Sequence, residues 1–269
     1  MATVYRAYDP ATGREVAIKM FPDDLLGDPS SLGNFLHESR VAAALHHPQI
    51  VQVLSTGEAD GRHYFVMELL KGWTLLELIE KEGRLPESVV IAIALDVVQG
   101  LQAAAAHGLI HGDVNPANIF VTRDAGAKIL DFGLAKIARA AVKPTAKPMA
   151  APPYCSPERL RSQPEDERSD MYSLGATLFE ALTGRTPFAG ATPTEHALQR
   201  LSVDPPRPRE VWPELTVVMD DLVYRLLQRE PGDRYPSYGA LLTALRKARA
   251  AQRPGGRSWR RIADWWQQR

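Results

Sequence analysis

The chain has 269 residues, of which 45% are hydrophobic and 24% are charged, as is ordinary for a globular protein. Its 32 basic and 32 acidic side chains balance, so the overall charge gives no reason to expect a nucleic-acid partner. The single cysteine, Cys155, excludes an internal disulfide and a cysteine-based metal cluster.

The first 70 residues are predicted to form a small β-rich unit. Strands are predicted where β-rich segments are bounded by turn residues: Thr3–Tyr8, Glu15–Phe21, Val51–Glu58 and His63–Leu69. One helix is predicted over Ser31–Leu45, where apolar side chains recur at helical spacing before His47-Pro48. These elements together predict a small sheet accompanied by one helix.

From residue 71 onward the pattern becomes mostly helical. Segments with apolar side chains near a period of 3.6 are Leu75–Lys81, Val89–His107, Asp170–Thr183, Glu195–Leu201, Pro213–Gln228 and Tyr238–Ala250. Short strands are predicted at Ile119–Val121 and Lys128–Leu130, and a loop at Lys136–Pro153. The resulting fold class is α+β with two lobes. The small lobe is predicted over 1–70 and the helical lobe over 71–250. Ligand sites favour the cleft between such lobes.

No segment of the sequence is predicted to span a membrane. No signal peptide is visible in the first 20 residues, and the most apolar segment, Val89–Ile110, is interrupted by polar side chains. We therefore expect a buried amphipathic helix there and a cytoplasmic protein. Residues 251–269 form a basic, Trp-rich tail, with Trp259 and Trp266 on one helical face. Its part 254–269 could lie on an anionic membrane surface, but a tail that packs on the large lobe or frays is favoured.

The most informative motif is the stretch from His111 to Asn118, followed by Asp131-Phe132-Gly133. It supplies a candidate base, Asp113, and two oxygen-bearing side chains, Asn118 and Asp131. A site that transfers a phosphoryl group needs a residue to orient a hydroxyl and oxygen ligands to hold Mg²⁺ against the phosphates. These residues, in this order and at this spacing, therefore indicate phosphoryl transfer from a nucleotide.

The two motifs resemble the catalytic loop and the metal-binding turn of protein kinases. Further motifs follow in family order to about Arg246, so the chain resembles a bacterial Ser/Thr protein kinase domain. The resemblance implies that Asp113 orients the substrate hydroxyl and that Asn118 and Asp131 hold Mg²⁺ or Mn²⁺. It also implies that Lys19, in Val16-Ala17-Ile18-Lys19, holds the ATP phosphates, with Glu38 as its helical partner.

The same resemblance implies a nucleotide pocket and a supporting framework. Met67 would guard the back of the adenine pocket, and the backbone from Glu68 to Leu70 would offer hinge hydrogen bonds. Val4, Ala17 and Phe120 would sandwich the adenine ring. Positions with supporting roles are His111 and Phe132, which would stack, Glu158 and Arg234, which would form a buried ion pair, and Asp170, which would brace the catalytic loop.

Several positions depart from the family pattern. The glycine-rich phosphate loop and the first strand are missing ahead of Val4, so we expect an N-terminally truncated sequence. Asn115, at a catalytic position, stands where the family has a lysine, and Ala151 where it has that lysine's threonine partner. Losing one transition-state donor costs on the order of 10² in rate. Gly112 replaces the arginine that pairs with a phosphorylated loop, so phosphorylation of Thr145 is predicted not to be required.

Three functions remain open from the sequence. The leading one is an ATP-dependent protein Ser/Thr kinase of possible reduced activity, acting on a protein hydroxyl. The second is a pseudokinase, which would act through nucleotide binding or protein contacts. The third is a small-molecule phosphotransferase of the aminoglycoside type, which also has a His-Gly-Asp motif. The sequence leaves the oligomeric state open.

Overall fold

The structure is a computed structural model that describes residues 3–21, 33, 43–123, 126–132, 153–188, 190 and 192–252. The predicted helix over Ser31–Leu45 falls largely outside these residues, as does the predicted tail after Gln252. The predicted loop over Lys136–Pro153 falls outside them except for its last residue.

The small lobe is built on a four-stranded antiparallel sheet of order β1-β2-β4-β3. Its strands are β1 (Thr3–Asp9), β2 (Arg14–Met20), β3 (Val53–Ala59) and β4 (Arg62–Glu68). The turn between β1 and β2 is closed by Asp9, whose carboxylate accepts hydrogen bonds from Ala11 N and Thr12 Oγ1. All four predicted strands are confirmed, with ends shifted by one or two residues.

One face of this sheet carries the core of the small lobe. Its buried members are Ala17, Phe21, Val51, Val53, Phe65 and Met67. Phe21 and Phe65 meet edge to face with ring centroids 5.1 Å apart, a favourable geometry for two aromatic rings. This core fixes β2 and β4, the strands that border the cleft.

The large lobe contains a second, three-stranded antiparallel sheet, β5-β6-β7. Its strands are β5 (Gly72–Thr74), β6 (Ile119–Thr122) and β7 (Gly126–Ile129). Its helices are α1 (Leu75–Glu82), α2 (Glu87–Ala105), α3 (Pro157–Leu160), α4 (Glu167–Thr183), α5 (Pro193–Ser202), α6 (Pro208–Val211), α7 (Val217–Leu226) and α8 (Tyr238–Ala250). The predicted short strands and most predicted helices are confirmed.

Helix α2 is the centre of the large lobe. It packs against α8, α4 and β7. Among the described residues it is long and apolar enough to cross a membrane by length and composition, but 61% of its most apolar window is buried inside the molecule. Burial among other elements explains the apolar sequence, so the predicted core helix is confirmed.

One predicted helix, Pro213–Gln228, is wrong at its start. The helix α7 begins only at Val217, because Thr216 caps it through a 3.2 Å hydrogen bond from Met219 N to its hydroxyl oxygen. Thr216 in turn donates from its backbone N–H and its hydroxyl to the carboxylate of Glu87, at 2.9 and 2.6 Å. The short elements β5, α3 and α6 were not predicted.

The two lobes are joined by backbone hydrogen bonds around residue 129. Val51 N donates to Ile129 O at 2.9 Å, and Ile129 N donates to Gln49 O at 2.8 Å. Beside them, Lys128 Nζ lies 2.6 Å from Glu68 Oε1, and that oxygen also accepts a 2.9 Å hydrogen bond from Gln52 N. The end of β7 is therefore attached to the small lobe at the back of the cleft.

Candidate active site

A cleft of about 190 Å³ lies between the lobes. All the residues predicted to surround the adenine ring line it: Val4, Ala17, Met67, Glu68, Leu70 and Phe120. Leu69, in the predicted hinge segment, also lines it. Val51 and Leu130 complete its wall and were not predicted, because isolated apolar residues carry no motif. The lining is mostly apolar, with Lys19 and Asp131 paired beside it, which suits a ligand with a flat ring and a polar tail.

Lys19 reaches this cleft because of the register of β2. Successive side chains of a strand point to opposite faces, so Ala17 and Lys19 share one face. Both line the cleft. The antiparallel pairing sets Ala17 opposite Met67 and Lys19 opposite Phe65 on β4. The apolar pocket and the cation therefore come from one short strand.

Lys19 forms an ion pair with Asp131 across the cleft. Lys19 Nζ lies 2.5 Å from Asp131 Oδ2, and the two side chains are 13% and 24% exposed. Asp131 has a φ of 61°, in the left-handed region that aspartate tolerates better than most residues. The predicted partner of Lys19, Glu38, lies outside the described residues. In this structure the lysine is therefore paired with the predicted metal ligand.

The backbone ahead of Asp113 is held by a buried carboxylate. The backbone N–H groups of His111 and Gly112 donate to the two oxygens of Asp170, at 2.8 and 2.7 Å. Burial raises the pKa of Asp170, although His111 and the two N–H groups act in the opposite direction. Asp170 therefore braces the catalytic loop from helix α4, as predicted.

His111 connects the catalytic loop to the metal-binding turn. Its Nδ1 accepts a hydrogen bond from Asp113 N at 3.1 Å, which assigns the ring hydrogen to Nε2. Nε2 then donates to Leu130 O at 2.8 Å, while Leu130 N donates to Asn118 O at 2.9 Å. His111 also meets Phe132 edge to face at 4.7 Å. The two motifs are thus joined through the residue before Asp131.

The amide of Asn118 is directed at Asp113. Asn118 Nδ2 donates to Asp113 O and to Asp113 Oδ2, both at 2.9 Å. These bonds orient the candidate base and leave Oδ1 as the atom of Asn118 that suits a cation. The candidate base is therefore in contact with Asn118, and the backbone of Asn118 is linked through Leu130 to Asp131, which lines the cleft.

The side chain of Asn115 is used within the loop. Its Oδ1 accepts hydrogen bonds from Ala117 N and Asn118 N, at 2.9 and 3.2 Å, and so caps the short 3₁₀ turn Pro116–Asn118. Its Nδ2 donates to Asp113 O at 2.9 Å. In this arrangement Asn115 stabilises the loop instead of presenting a donor to the cleft.

Asp96 supports the site from helix α2 and was not recognised from the sequence. Its Oδ2 accepts a hydrogen bond from Ala127 N at 2.9 Å. A Cβ on neighbouring Gly126, which has a φ of 82°, would lie 2.3 Å from that oxygen. Burial raises the pKa of Asp96. The signal available in the sequence was an acid in the middle of a mostly apolar helix.

A buried ion pair anchors α3 to the rest of the large lobe. Arg234 Nη1 and Nη2 each lie 2.8 Å from an oxygen of Glu158, and both residues are fully buried. Ser169 Oγ donates to Glu158 Oε1 at 2.6 Å. Burial alone would raise the pKa of Glu158, but Arg234 and Ser169 outweigh it and lower that pKa. The predicted pair is confirmed.

Ala151, one of the departures from the family pattern, lies outside the described residues, and so does Thr145, whose phosphorylation was predicted not to be required. Gly112 is described and has a φ of 72°, a backbone conformation that glycine adopts without strain.

A family model described as a protein kinase domain matches residues 1–244 of the chain. The chain is 37% identical over 261 residues to the serine/threonine-protein kinase PknB of Mycolicibacterium smegmatis, covering 94% of this chain and 42% of that relative. It is 40% identical over 249 residues to the serine/threonine-protein kinase PknL of Mycobacterium tuberculosis, covering 91% of this chain and 62% of PknL.

A solved structure of the PknI kinase domain from M. tuberculosis is also similar. It has a TM-score of 0.75 and 27% sequence identity, over 93% of this chain and 92% of that one. The chain therefore spans between two fifths and two thirds of the length of the curated relatives named above, and nearly the whole of this kinase domain.

Proposed function

This chain belongs to the protein kinase domain family, and we propose that it transfers the γ-phosphoryl group of Mg-ATP to a Ser or Thr hydroxyl of a protein. One observation carries the proposal: the catalytic loop and the Asp131 turn meet through the backbone of Leu130 at the charged end of an apolar cleft. Similarity to relatives named serine/threonine-protein kinases supports the same activity.

The cleft suits the nucleotide in two parts. Its apolar walls, with Ala17 on the small-lobe side and Phe120 on the large-lobe side, suit a purine ring. The backbone that follows Met67 would provide hinge hydrogen bonds, while Lys19 would hold the α- and β-phosphates. Because Lys19 is paired with Asp131 in the structure, nucleotide binding would exchange that carboxylate for phosphate oxygens.

The donor set fits a magnesium ion that binds together with a nucleotide. Among the described residues, no group of three or more His, Cys, Asp or Glu side chains could hold a metal alone. Asn118 and Asp131 offer one amide and one carboxylate oxygen, so phosphate and water oxygens would have to complete an octahedral shell. When bound, Mg²⁺ would neutralise charge on the phosphates. Mn²⁺ suits the same oxygen ligands.

Asp113 would orient the attacking hydroxyl and accept its proton. Its Oδ2 is held by Asn118 at 2.9 Å, which fixes the carboxylate, and its backbone N–H and C=O are both hydrogen-bonded within the loop. Since phosphoryl transfer depends mainly on positioning and electrostatics, a rigidly held carboxylate is the contribution that the protein can make here.

The second candidate function is a pseudokinase that binds nucleotide without transferring phosphate. The conformation of Asn115 favours it, because its amide donates to Asp113 O and supplies no positive charge. The third possibility, a small-molecule phosphotransferase, is disfavoured because the matched family and the named relatives are protein kinases.

Transfer of labelled phosphate from Mg-ATP to a generic basic protein tests the proposal. We expect transfer that Asp113→Asn abolishes and that Asp60→Asn, in the β3–β4 turn, leaves intact. Absence of transfer together with a nucleotide-induced rise in Tm would instead support the pseudokinase. Transfer to an aminoglycoside but to no protein would support the third function.

The remaining proposals concern partners and location. The protein substrate would present a Ser or Thr, and a cytoplasmic location would supply ATP. The 254–269 tail lies outside the described residues, so the prediction that it packs on the large lobe or frays, in preference to binding a membrane surface, stays a prediction.

A further inference from the structure

We infer that Arg159 positions the catalytic aspartate by holding the backbone carbonyl of Gly112. The inference rests on the proposed phosphoryl transfer, and it names a residue that none of the kinase motifs includes. Arg159 Nη1 donates a hydrogen bond to Gly112 O, between residues 47 positions apart in the chain. Gly112 immediately precedes Asp113, the candidate base.

The bond from Arg159 acts on the one peptide unit that leads into Asp113. This unit consists of the Gly112 carbonyl and the Asp113 N–H. Its N–H donates to His111 Nδ1 at 3.1 Å, and its carbonyl accepts from Arg159. Both polar groups of the unit are therefore held, and its plane cannot rotate without breaking one of them. The orientation of this plane sets the direction in which the Asp113 side chain leaves the backbone.

The flexibility of Gly112 means that contacts from other elements are needed to fix this peptide unit. It has a φ of 72° and no side chain, so its own backbone restricts rotation less than any other residue would. Asp170 fixes the N–H of Gly112 at 2.7 Å, which lies before the rotatable bonds of that glycine. Arg159 fixes the carbonyl, which lies after them. The two contacts together lock the glycine.

Arg159 is well placed to act as a fixed support. It belongs to α3 and follows Glu158, which Arg234 and Ser169 hold in the buried core. Its guanidinium Nε also lies 3.5 Å from Glu165 Oε1, and its side chain is 20% exposed. A hydrogen bond from a charged donor is stronger than a neutral one, and the anchored helix lowers the entropy lost in forming it.

The loss of this contact should affect the chemical step more than nucleotide binding. The cleft residues lie on other elements, whereas, in the part of the chain that the structure describes, Arg159 is hydrogen-bonded to the loop that carries Asp113. A displaced base lowers kcat, and displacements near 1 Å can cost on the order of 10²-fold in rate. The KM for ATP should change little.

The first test is kinetic and compares Arg159→Gln with Arg159→Lys. For Arg159→Gln we expect kcat to fall by about tenfold to 100-fold, with the KM for ATP within about twofold of wild type. Arg159→Lys keeps a cationic donor and should recover part of kcat. Arg161→Gln is the matched control, since Arg161 pairs with exposed Glu230 on the surface at 3.0 Å and should behave as wild type. A wild-type kcat for Arg159→Gln overturns the inference.

The second test does not depend on activity. Hydrogen–deuterium exchange of a peptide spanning residues 109–118 should be faster in Arg159→Gln than in Arg161→Gln at equal Tm, and Arg159→Met, which also removes the donor, serves if the glutamine variant does not fold. Unchanged exchange overturns the inference. If wild type shows no Asp113-dependent transfer, the proposed function fails, while the exchange measurement still decides whether Arg159 holds the loop.

Discussion

Two ion pairs in this molecule differ in ways that separate function from stability. Lys19 and Asp131 share a single contact of 2.5 Å at the edge of an open cleft. Glu158 and Arg234 share two contacts of 2.8 Å in the core, and Arg234 also donates to the backbone carbonyls of Gln228, Arg168 and Arg229.

This difference in burial and in the number of contacts indicates which of the two ion pairs a bound ligand can rearrange. A buried pair whose donors and acceptors are all used keeps its partners, because removing either one leaves an uncompensated charge in the core. The Lys19 pair is mostly buried but borders the cleft and has a single contact, so a phosphate group or a metal ion that enters the cleft can take the place of one partner. We therefore propose that the Lys19 pair serves catalysis and that the Glu158 pair serves the architecture of the large lobe.

The largest expected effect comes from breaking the buried pair. Arg234→Met should lower the free energy of unfolding by about 3–5 kcal/mol, because Glu158 would remain buried without its cation. Urea denaturation of wild type and variant measures the difference. Arg161→Met, which removes an exposed pair, is the control and should cost less than about 1 kcal/mol. Equal losses in the two variants would contradict the assignment.

Repeating the urea denaturation at acid pH tests how the contribution of the Glu158 pair to the free energy of unfolding changes with pH. The folded-state pKa of Glu158 is lowered, so its pairing stabilises the protein above the unfolded-state pKa of glutamate and is lost as pH falls through the folded value. In Arg234→Met this contribution is absent. The stability gap between wild type and variant should therefore narrow from pH 7 towards pH 3, and a constant gap would refute this explanation.

Breaking the Lys19–Asp131 pair should lower the rate of phosphoryl transfer strongly and the free energy of unfolding only slightly. Lys19→Met should reduce phosphoryl transfer by about 10²–10³-fold, as when one transition-state donor is removed, while the free energy of unfolding stays within about 1 kcal/mol of wild type. Initial rates and urea denaturation on the same preparation test both parts. Lys247→Met, on the exposed side of α8, provides the control. A large loss of stability in Lys19→Met would show that this pair is structural too.

A third pair, Lys128 and Glu68, is slightly more exposed than the Lys19 pair and sharpens the comparison. Its side chains are 13% and 31% exposed, and it connects β7 to the strand end beside the cleft. Lys128→Met should weaken Mg-ADP binding by about two- to fivefold, a contribution below about 1 kcal/mol. Isothermal titration measures the affinity, and a double variant with Glu68→Gln should show no further loss. Additive losses would mean that the two residues act separately.

The smallest effect is expected at Thr145. Gly112 offers no side-chain cation to a phosphorylated loop, and the hold that Arg159 exerts on Gly112 needs no modification. Thr145→Ala should therefore keep phosphoryl transfer within about twofold of wild type. Steady-state rates of the unphosphorylated protein provide the measurement. A loss of tenfold or more would show that a phosphate is needed after all.

Local patterns predicted most of the elements and failed where a contact distant in the chain decided a boundary. The predicted helix over Tyr238–Ala250 has those ends in the structure. The helix predicted from Pro213 starts instead at Val217, because Thr216 is turned into a cap and held by Glu87, 129 positions away. A periodic pattern does not contain such a partner.

In the candidate site, too, local motifs predicted part of the arrangement and long-range packing decided the rest. Motif resemblance identified residues that do line one cleft, including Ala17, Lys19 and Met67. It assigned Asn115 to the chemistry, whereas the structure has its side chain capping a turn within the loop. It missed Asp96, whose role becomes visible only when α2 and β7 are packed together.

The sequence by itself determined the family and the order of the longer elements, and it supplied the candidates for the reacting groups, because strand and helix periods and motif spacings are local properties of the chain. Only the tertiary structure decided which charged groups are paired. Lys19 lies against Asp131, and Arg159 lies against Gly112, because these contacts depend on how separate elements pack. Which charged groups pair across the fold depends on burial and on the geometry of packing, and the spacing of residues along the chain specifies neither.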